Sequence, residues 1–298
     1  MTNIPERGLR ATIQGWDEAA WSLAALALAA DGDQPPELTA AAWELLAATG
    51  LTGAPGGPLP GLVTSTPGQI ASQAAATLHQ ASALASGRGM IWSAQSHEAL
   101  LAQGNASAQI AQAFAQLMLP TMGGLAERLA APGARMLDIG TGVGALAVGF
   151  AEVFPELHVL GIDILDRALQ FAHQTIAASG VAARVTARKQ DLADFTDDTG
   201  FDLAFIPTSF IPQPAVHSGL PRVAAALHPG GWLIMGHGKL GDTPVQDALT
   251  RLRTLAYGGT PLDKAAACRL LRNVGLTSVR SVTTSAAAPS ITIGQKPA

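Results

Sequence analysis

Two patterns of apolar and polar positions divide the chain near Pro132. Before it, apolar residues recur at helical spacing, and we predict helices over residues 17–30, 37–49, 69–85, 97–119 and 125–131. After it, short apolar runs rich in β-branched residues alternate with helical segments. Strands that alternate with helices are typical of a mostly parallel sheet covered on both faces. We therefore predict an all-α domain over residues 1–131 and an α/β domain over residues 132–298.

The α/β part contains seven strand candidates. They are Arg135–Ile139, His158–Ile162, Arg184–Arg188, Phe201–Ile206, Trp232–Met235, Thr277–Val282 and Ser290–Ile293. The first candidate runs directly into the glycine-rich segment 140–144, and a helix pattern follows. Glycine lets the backbone adopt positive φ and approach a ligand closely. Open α/β sheets bind their ligands outside the carboxyl ends of the strands, so we expect Gly140, Thr141, Gly142 and Gly144 to contact a ligand there.

Two acids beside this turn indicate the kind of ligand. Asp163 ends the second strand, where a carboxylate can accept hydrogen bonds from both ribose hydroxyls. Position 145 is alanine, so the third glycine of the dinucleotide fingerprint is missing. Asp138 lies two residues before the first glycine. A carboxylate there would repel a pyrophosphate but would suit a positively charged amino-acid group, which favours S-adenosylmethionine over NAD.

The motifs after Pro132 resemble those of the class I S-adenosylmethionine-dependent methyltransferases. The segments that carry the resemblance are 137–144, Asp163, 190–192, 201–207 and 227–233, in the family's order. The resemblance implies a Rossmann-like, mostly parallel seven-stranded sheet with a reversed last strand. It also implies that Gln190 and Asp191 lie at the adenine, with Ile164 and Leu192 on its two faces. Pro207, at the end of the fourth strand, would lie beside the methyl-transfer site.

Residues 1–131 resemble, in layout more than in motifs, the winged-helix-like N-terminal domain of small-molecule O-methyltransferases. The resemblance implies that this domain covers the substrate and supports a homodimer. It places Trp92 near the mouth of the active site. Trp92 and Phe210 could then form an aromatic wall against the sulfonium or a flat substrate, although core packing is the more common reason for such residues.

The sequence departs from those relatives in the segment after the fourth strand. Many plant-like O-methyltransferases carry His-Asp-Trp there, with the histidine as base, whereas this chain has Thr208-Ser209-Phe210. The Asp/Asn-Pro-Pro-Tyr/Phe sequence of DNA amino-methyltransferases is also missing. Histidine suits general base catalysis because its pKa of ~6.5 lies near working pH. His97, His217 and His237 are the candidates, each against the alternative of an ordinary structural histidine.

The amino-acid composition limits which classes of partner the protein is expected to bind. Lysine and arginine number 18 and aspartate and glutamate 22, which gives a net charge of −4. Residues 1–131 contain four arginines and no lysine, too few for a face that binds DNA phosphates. No His/Asp/Glu set has the spacing of a metal site, and Cys268 is the single cysteine. Without a membrane span or a signal sequence, we expect a cytoplasmic protein that binds neither membrane nor nucleic acid.

The function that we predict is S-adenosylmethionine-dependent methylation of a small molecule at oxygen, nitrogen or carbon. The missing histidine motif somewhat favours nitrogen and carbon acceptors over oxygen acceptors, since a neutral amine needs no strong base. Two alternatives stay open at this point. The fold could serve a non-methylating reaction such as a cyclisation or rearrangement, or the chain could be a cofactor-binding regulatory protein.

Overall fold

The computed structural model describes residues 6–31, 35–52, 67–86, 97, 100–101, 104, 107–108, 110–240, 243–282 and 289–298. The chain divides into two compact units. Residues 1–87 with 97–106 form the first unit, and residues 88–96 with 107–298 form the second. No helix in these described ranges is long and apolar enough to cross a bilayer.

The first unit contains the helices α1 (Glu6–Asp31), α2 (Pro36–Ala48) and α3 (Pro67–Ala85). Helix α2 begins at a proline, whose missing N–H would be unpaired there in any case. It ends at Ala48, one residue before its predicted end, and Gly50 follows. Gly50 has φ +77° and donates to Ala47 O, while Leu51 N donates to Leu46 O. This pair of bonds satisfies carbonyls that the helix end leaves without partners.

The second unit is built on one seven-stranded sheet. Its strands are β1 (Arg135–Ile139), β2 (His158–Asp163), β3 (Val185–Lys189), β4 (Phe201–Pro207), β5 (Leu227–His237), β6 (Thr277–Val282) and β7 (Ser290–Gln295). The strand order is β3-β2-β1-β4-β5-β7-β6. Strands β1 to β5 are parallel, and β7 runs antiparallel to both β5 and β6. The predicted sheet with a reversed last strand is therefore confirmed.

Helices flank this sheet. They are α4 (Ile110–Ala113), α5 (Leu125–Leu129), α6 (Ala145–Val153), α7 (Asp166–Ala178), α8 (Gln213–Ala226), α9 (Pro244–Ala256) and α10 (Lys264–Asn273). Helix α4 continues into a π-helical turn (Phe114–Met118) and a 3₁₀ turn (Leu119–Thr121). Further 3₁₀ turns lie at Leu192–Asp194 and Thr208–Phe210.

Both faces of the sheet are buried. Met136 belongs to one apolar cluster and its neighbour Leu137 to the other, because successive side chains of a strand point to opposite faces. Such two-sided burial is typical of parallel sheets and explains why the strands read as continuous apolar runs. It leaves the ends of the strands as the place where polar side chains gather.

The segment before β1 packs on the second unit. Phe114 lies 5.2 Å from Phe150 between ring centroids, and Arg128 donates to the buried carboxylate of Asp202 at 3.2 Å. This unit therefore includes residues from Ser107 onward, and the predicted domain division after residue 131 falls inside it. That the first 131 residues act together as a covering domain stays a prediction.

Candidate cofactor site at the carboxyl edge of the sheet

The turn between β1 and α6 is held in a conformation that glycine permits. Gly140, Gly142 and Gly144 have φ of +67°, +57° and +80°. The backbone N–H groups of Gly140 and Thr141 both donate to Ile162 O, at 2.8 and 3.0 Å. The turn is thus fixed to the end of β2, and an L side chain at any of the three glycines would strain it.

Close packing adds a second reason for small residues here. A Cβ on Gly144 would lie 3.3 Å from Ala172 in α7, and a Cβ on Gly161 would lie 2.6 Å from Thr141 Oγ1. Thr141 therefore sits directly over the backbone of β2. Gly161 was not among the predicted site residues, because nothing in the sequence shows that β2 passes under the turn.

Asp163 joins the glycine turn to the end of β2. Its Oδ2 accepts from Gly142 N and its Oδ1 from Leu165 N, both at 2.9 Å. Burial raises the pKa of Asp163, and backbone hydrogen bonds from Leu165, Gly142 and Ile164 oppose that rise. A carboxylate has about four lone-pair positions for donors. The side chain therefore keeps acceptor capacity for a ligand hydroxyl, such as one of a ribose.

Asp138 is a buried acid behind the turn. Its Oδ2 accepts from Thr141 Oγ1 at 2.7 Å. The pKa of Asp138 is raised to about 7. Burial is the main cause, the Thr141 hydrogen bond opposes the rise, and the charge of Asp163 adds to it. A cation arriving beside Asp138 would favour its ionised form. The site is thus suited to a positively charged group.

The predicted adenine residues lie along the neighbouring strand end. Gln190 N donates to Asp163 O at 2.9 Å, which brings this segment beside the ribose acid. Asp191 is exposed and accepts from Ala193 N at 2.8 Å, so its carboxylate caps the 3₁₀ turn at Leu192–Asp194. Ile164 is 54% exposed and Leu192 is buried. An apolar side chain left exposed beside a polar site is available to a flat ligand.

The segment after β4 forms the other side of the edge. A Cβ on Gly140 would lie 3.8 Å from Pro207 Cγ, so Pro207 faces the glycine turn. Thr208 is buried and its hydroxyl donates to Gly236 O at 3.1 Å. The Phe210 ring packs edge-on against Tyr257, with 4.8 Å between centroids. Tyr257 is contributed from the end of α9, and no sequence signal connected it with this site.

The three candidate histidines differ in position. His237, at the end of β5, is buried. Its Nε2 lies 3.0 Å from Thr292 Oγ1 and its Nδ1 3.2 Å from Gly238 O. Burial lowers the pKa of His237. With both ring nitrogens engaged, His237 has the surroundings of a structural histidine, whereas His217 in α8 and His97 are exposed. Trp92, the other predicted substrate contact, lies outside the described residues.

The comparison with protein families identifies the domain that contains this edge of the sheet. A family model described as a methyltransferase domain matches residues 130–261, which include the glycine turn, both acids and Tyr257. Residues 130–261 form a methyltransferase domain. The resemblance drawn from the sequence motifs is confirmed, and the domain is of the S-adenosylmethionine-dependent class.

Curated relatives match part of the chain. A release factor glutamine methyltransferase of Cereibacter sphaeroides is 31% identical over 169 residues, which are 55% of this chain and 55% of that protein. One from Rhodopirellula baltica is 34% identical over 106 residues, 36% of its length. The chain thus spans about a third to a half of these two curated relatives.

Solved structures resemble the chain over its whole length. An O-methyltransferase family protein from Burkholderia thailandensis superposes with a TM-score of 0.64 at 17% identity and covers 97% of both chains. Human N-acetylserotonin methyltransferase in complex with S-adenosylmethionine gives 0.64 at 15% identity and covers all of both chains. At such identities the likeness shows the fold alone.

The geometry of the methyltransferase domain fits S-adenosylmethionine. The glycine turn lets a ligand approach the backbone, the Asp163 carboxylate keeps acceptor capacity, and Asp138 is a buried carboxyl suited to a cationic group. In the ranges that the structure describes, no cluster of three metal-ligating side chains occurs. S-Adenosylmethionine is the cofactor of this domain.

Proposed function

We propose that the whole protein methylates a small molecule at an oxygen, nitrogen or carbon atom. The observation that carries the proposal is the position of Pro207 opposite Gly140, because it joins the cofactor turn to the segment after β4 at one edge. The full-length likeness in fold to O-methyltransferases supports a small substrate. The release factor relatives match only part of the chain and favour a protein substrate as the second candidate.

S-Adenosylmethionine supplies an electrophilic methyl group on a sulfonium sulfur. We propose that the Asp163 carboxylate binds the ribose hydroxyls, and that ionised Asp138 holds the ammonium group. Gly140, Thr141, Gly142 and Gly144 form the floor of the site. Gln190, Asp191, Ile164 and Leu192 are the proposed adenine contacts.

The chain's contribution to the transfer itself is positioning. Holding the two reactants close and in line can supply about 7–11 kcal/mol of the barrier. We propose that Pro207 and Phe210 line the acceptor side together with Trp92. Between Pro207 and Ile211 no side chain carries an imidazole or a carboxylate. A neutral amine acceptor needs no base there, whereas a phenol with a pKa of ~10 would need one from His217, His97 or His237.

A substrate screen tests this proposal. The purified chain is incubated with S-adenosylmethionine and separate sets of phenols, amines and carbon nucleophiles, and with a glutamine-containing peptide. Release of S-adenosylhomocysteine and a product mass increase of one methyl group are measured. We expect turnover with a small-molecule set. Turnover with the peptide alone would replace the proposal by the protein-substrate alternative.

We also propose that the protein is a cytoplasmic homodimer. Helix α1 exposes Leu9, Ile13, Trp16 and Trp21, each at 47% or more, and a second copy would cover such side chains. A single cysteine suits a reducing compartment. Sedimentation velocity should give twice the monomer mass, and Trp16→Glu should shift the protein toward the monomer. A wild-type monomer at micromolar concentration would contradict the dimer.

A further inference from the structure

We propose that the turn after α9, residues 257–260, positions the acceptor side of the site, and that Gly259 is its main positioning residue. The inference rests on the proposed function, since it assigns the segment 208–211 to the acceptor. The turn does not need to touch substrate. It acts through the backbone of that segment, which lies about fifty residues earlier in the chain.

Gly259 is in backbone contact with the acceptor segment. A Cβ at this position would lie 2.0 Å from Ser209 O, 2.3 Å from Ser209 C and 2.9 Å from Phe210 N. Gly259 does not have a positive φ, so space and not backbone conformation requires the glycine. Any side chain there must push Ser209 and Phe210 away, because the atoms that it would meet belong to the backbone and cannot rotate aside.

Thr260 adds two hydrogen bonds to the same segment. Its backbone N–H donates to Thr208 O and its hydroxyl donates to Ile211 O, both at 2.9 Å. Thr260 is buried, so water does not compete for these bonds. Thr208 in turn donates to Gly236 O of β5. The acceptor segment is therefore held between the sheet on one side and the turn on the other.

Tyr257 supports the aromatic side chain of the segment. Its ring lies edge-on to Phe210 and is buried, and burial raises the pKa of its hydroxyl. The interplanar angle of 67° is a favourable geometry for an aromatic pair. The orientation of Phe210, a proposed substrate contact, thus depends on a residue of the turn.

The turn is itself rigid enough for this task. Gly258 ends α9 with φ +75°, and its N–H donates to Leu255 O. Gly259 N donates to Thr254 O at 2.9 Å. These two bonds close the helix end in the way that a left-handed glycine permits. Gly258 therefore shapes the turn, whereas Gly259 makes the contact.

Two glycines provide a matched pair of variants. Gly259→Ala places a methyl group against Ser209, while Gly275→Ala, outside the turn, strains a positive-φ position that has no atom within 4 Å of the added Cβ. Both variants should lose stability, but only Gly259→Ala should displace the acceptor segment. Thr260→Val removes one hydrogen bond to that segment, and Thr260→Ser restores the hydroxyl.

The test combines three measurements on the full chain. Hydrogen exchange is followed in peptides covering residues 205–212 and 138–145, S-adenosylmethionine affinity is measured by calorimetry, and kcat/KM is measured on the phenol, amine and carbon-nucleophile sets. For Gly259→Ala we expect faster exchange in 205–212 alone. We expect cofactor affinity within about twofold of wild type, and a loss of about 100-fold in kcat/KM, since a displacement near 1 Å has that cost.

The controls separate the possible results. Gly275→Ala should keep wild-type exchange in 205–212, and Thr260→Val should lose about threefold to tenfold in kcat/KM, with recovery in Thr260→Ser. If Gly259→Ala does not fold, the Thr260 pair decides. Unchanged exchange in 205–212, or an equal loss of cofactor affinity, would overturn the inference. Absence of cofactor binding by wild type would instead overturn the proposed function, and the exchange result would still stand.

Discussion

The two sides of the functional edge are built in different ways. The cofactor side is formed by consecutive pieces of chain, because β1, the glycine turn, α6 and β2 follow one another within residues 135–163. The acceptor side joins residues 208–211 to residues 257–260 and is held by backbone contacts. The first arrangement leaves a motif in the sequence, and the second leaves none. A shared cofactor can therefore be recognised from sequence, while the substrate requires the structure.

The largest effect that we expect is on the cofactor side, at Asp163. Asp163→Ala removes a partly buried acceptor of two backbone N–H groups and of the proposed ribose hydroxyls. Hydrogen bonds to a charged group contribute about 1.5–3 kcal/mol each, so S-adenosylmethionine affinity should fall at least about 100-fold by calorimetry. Asp166→Ala, at an exposed acid paired with Lys189, should stay within about twofold. Equal affinities for the two variants would remove Asp163 from the site.

The next effect concerns pH and stability at Asp138. Its pKa is raised from 3.8 to about 7, so the stability that its proton contributes is present below pH 3.8 and lost as pH rises through about 7. The side chain in Asp138→Asn does not titrate. Between pH 5 and pH 8, the free energy of unfolding of this variant should therefore rise relative to that of wild type by on the order of 2 kcal/mol. Urea unfolding of both proteins at pH 5, 6, 7 and 8 measures this difference. Parallel pH curves would show that Asp138 is ionised throughout.

A smaller loss of cofactor affinity should follow from crowding the turn. Gly161→Ala places a methyl group 2.6 Å from Thr141 Oγ1, and Thr141 is the hydrogen-bond donor to Asp138. Overpacking costs about 1–3 kcal/mol, so affinity for S-adenosylmethionine should fall about tenfold. Gly180→Ala is the matched control, since nothing lies within 4 Å of its added Cβ. A similar affinity for both variants would mean that the turn adapts freely.

The smallest effect that we expect is on the acceptor side, at Ser209. Ser209 is half-buried in the acceptor segment. Ser209→Ala removes a hydroxyl that could form a hydrogen bond with a substrate. A neutral hydrogen bond contributes about 0.5–1.5 kcal/mol. We expect kcat/KM on an accepted substrate to fall about threefold while cofactor affinity is unchanged. A loss of cofactor affinity in Ser209→Ala would show that the two sides are not separable.

The sequence predicted the cofactor side closely. The bounds of β1 are those predicted and α6 follows the glycines as predicted, because a buried strand followed by glycines and an alanine-rich helix gives three local signals in a row. Strand β5 is longer than expected. Its Pro229-Gly230-Gly231 segment is typical of a turn, yet Gly230 N donates to Lys296 O and Lys296 N donates to Gly231 O. Pairing with the end of the chain keeps the segment extended, and the local sequence gives no signal of that pairing.

The acceptor side could not be predicted, because it too depends on contacts between residues that lie far apart in the chain. Helix α8 begins at Gln213, because Pro214 is tolerated in a first turn, and the helix continues through Pro221. Gly259 appears in the sequence as one of two glycines after a helix. Its contact with Ser209 depends on how α9 packs, which is a tertiary property. His237 was a candidate base from its place after β5, and the structure puts its ring in the interior beside Thr292.

Calorimetric titration of the wild-type chain with S-adenosylmethionine, and separately with NAD, tests the central claim most directly. The buried carboxyl of Asp138, the carboxylate of Asp163 at the end of β2 and the missing third glycine all favour the first ligand. We expect one S-adenosylmethionine per chain with micromolar affinity and no heat of binding with NAD. Binding of NAD, or no binding of S-adenosylmethionine, would contradict the assignment of this edge.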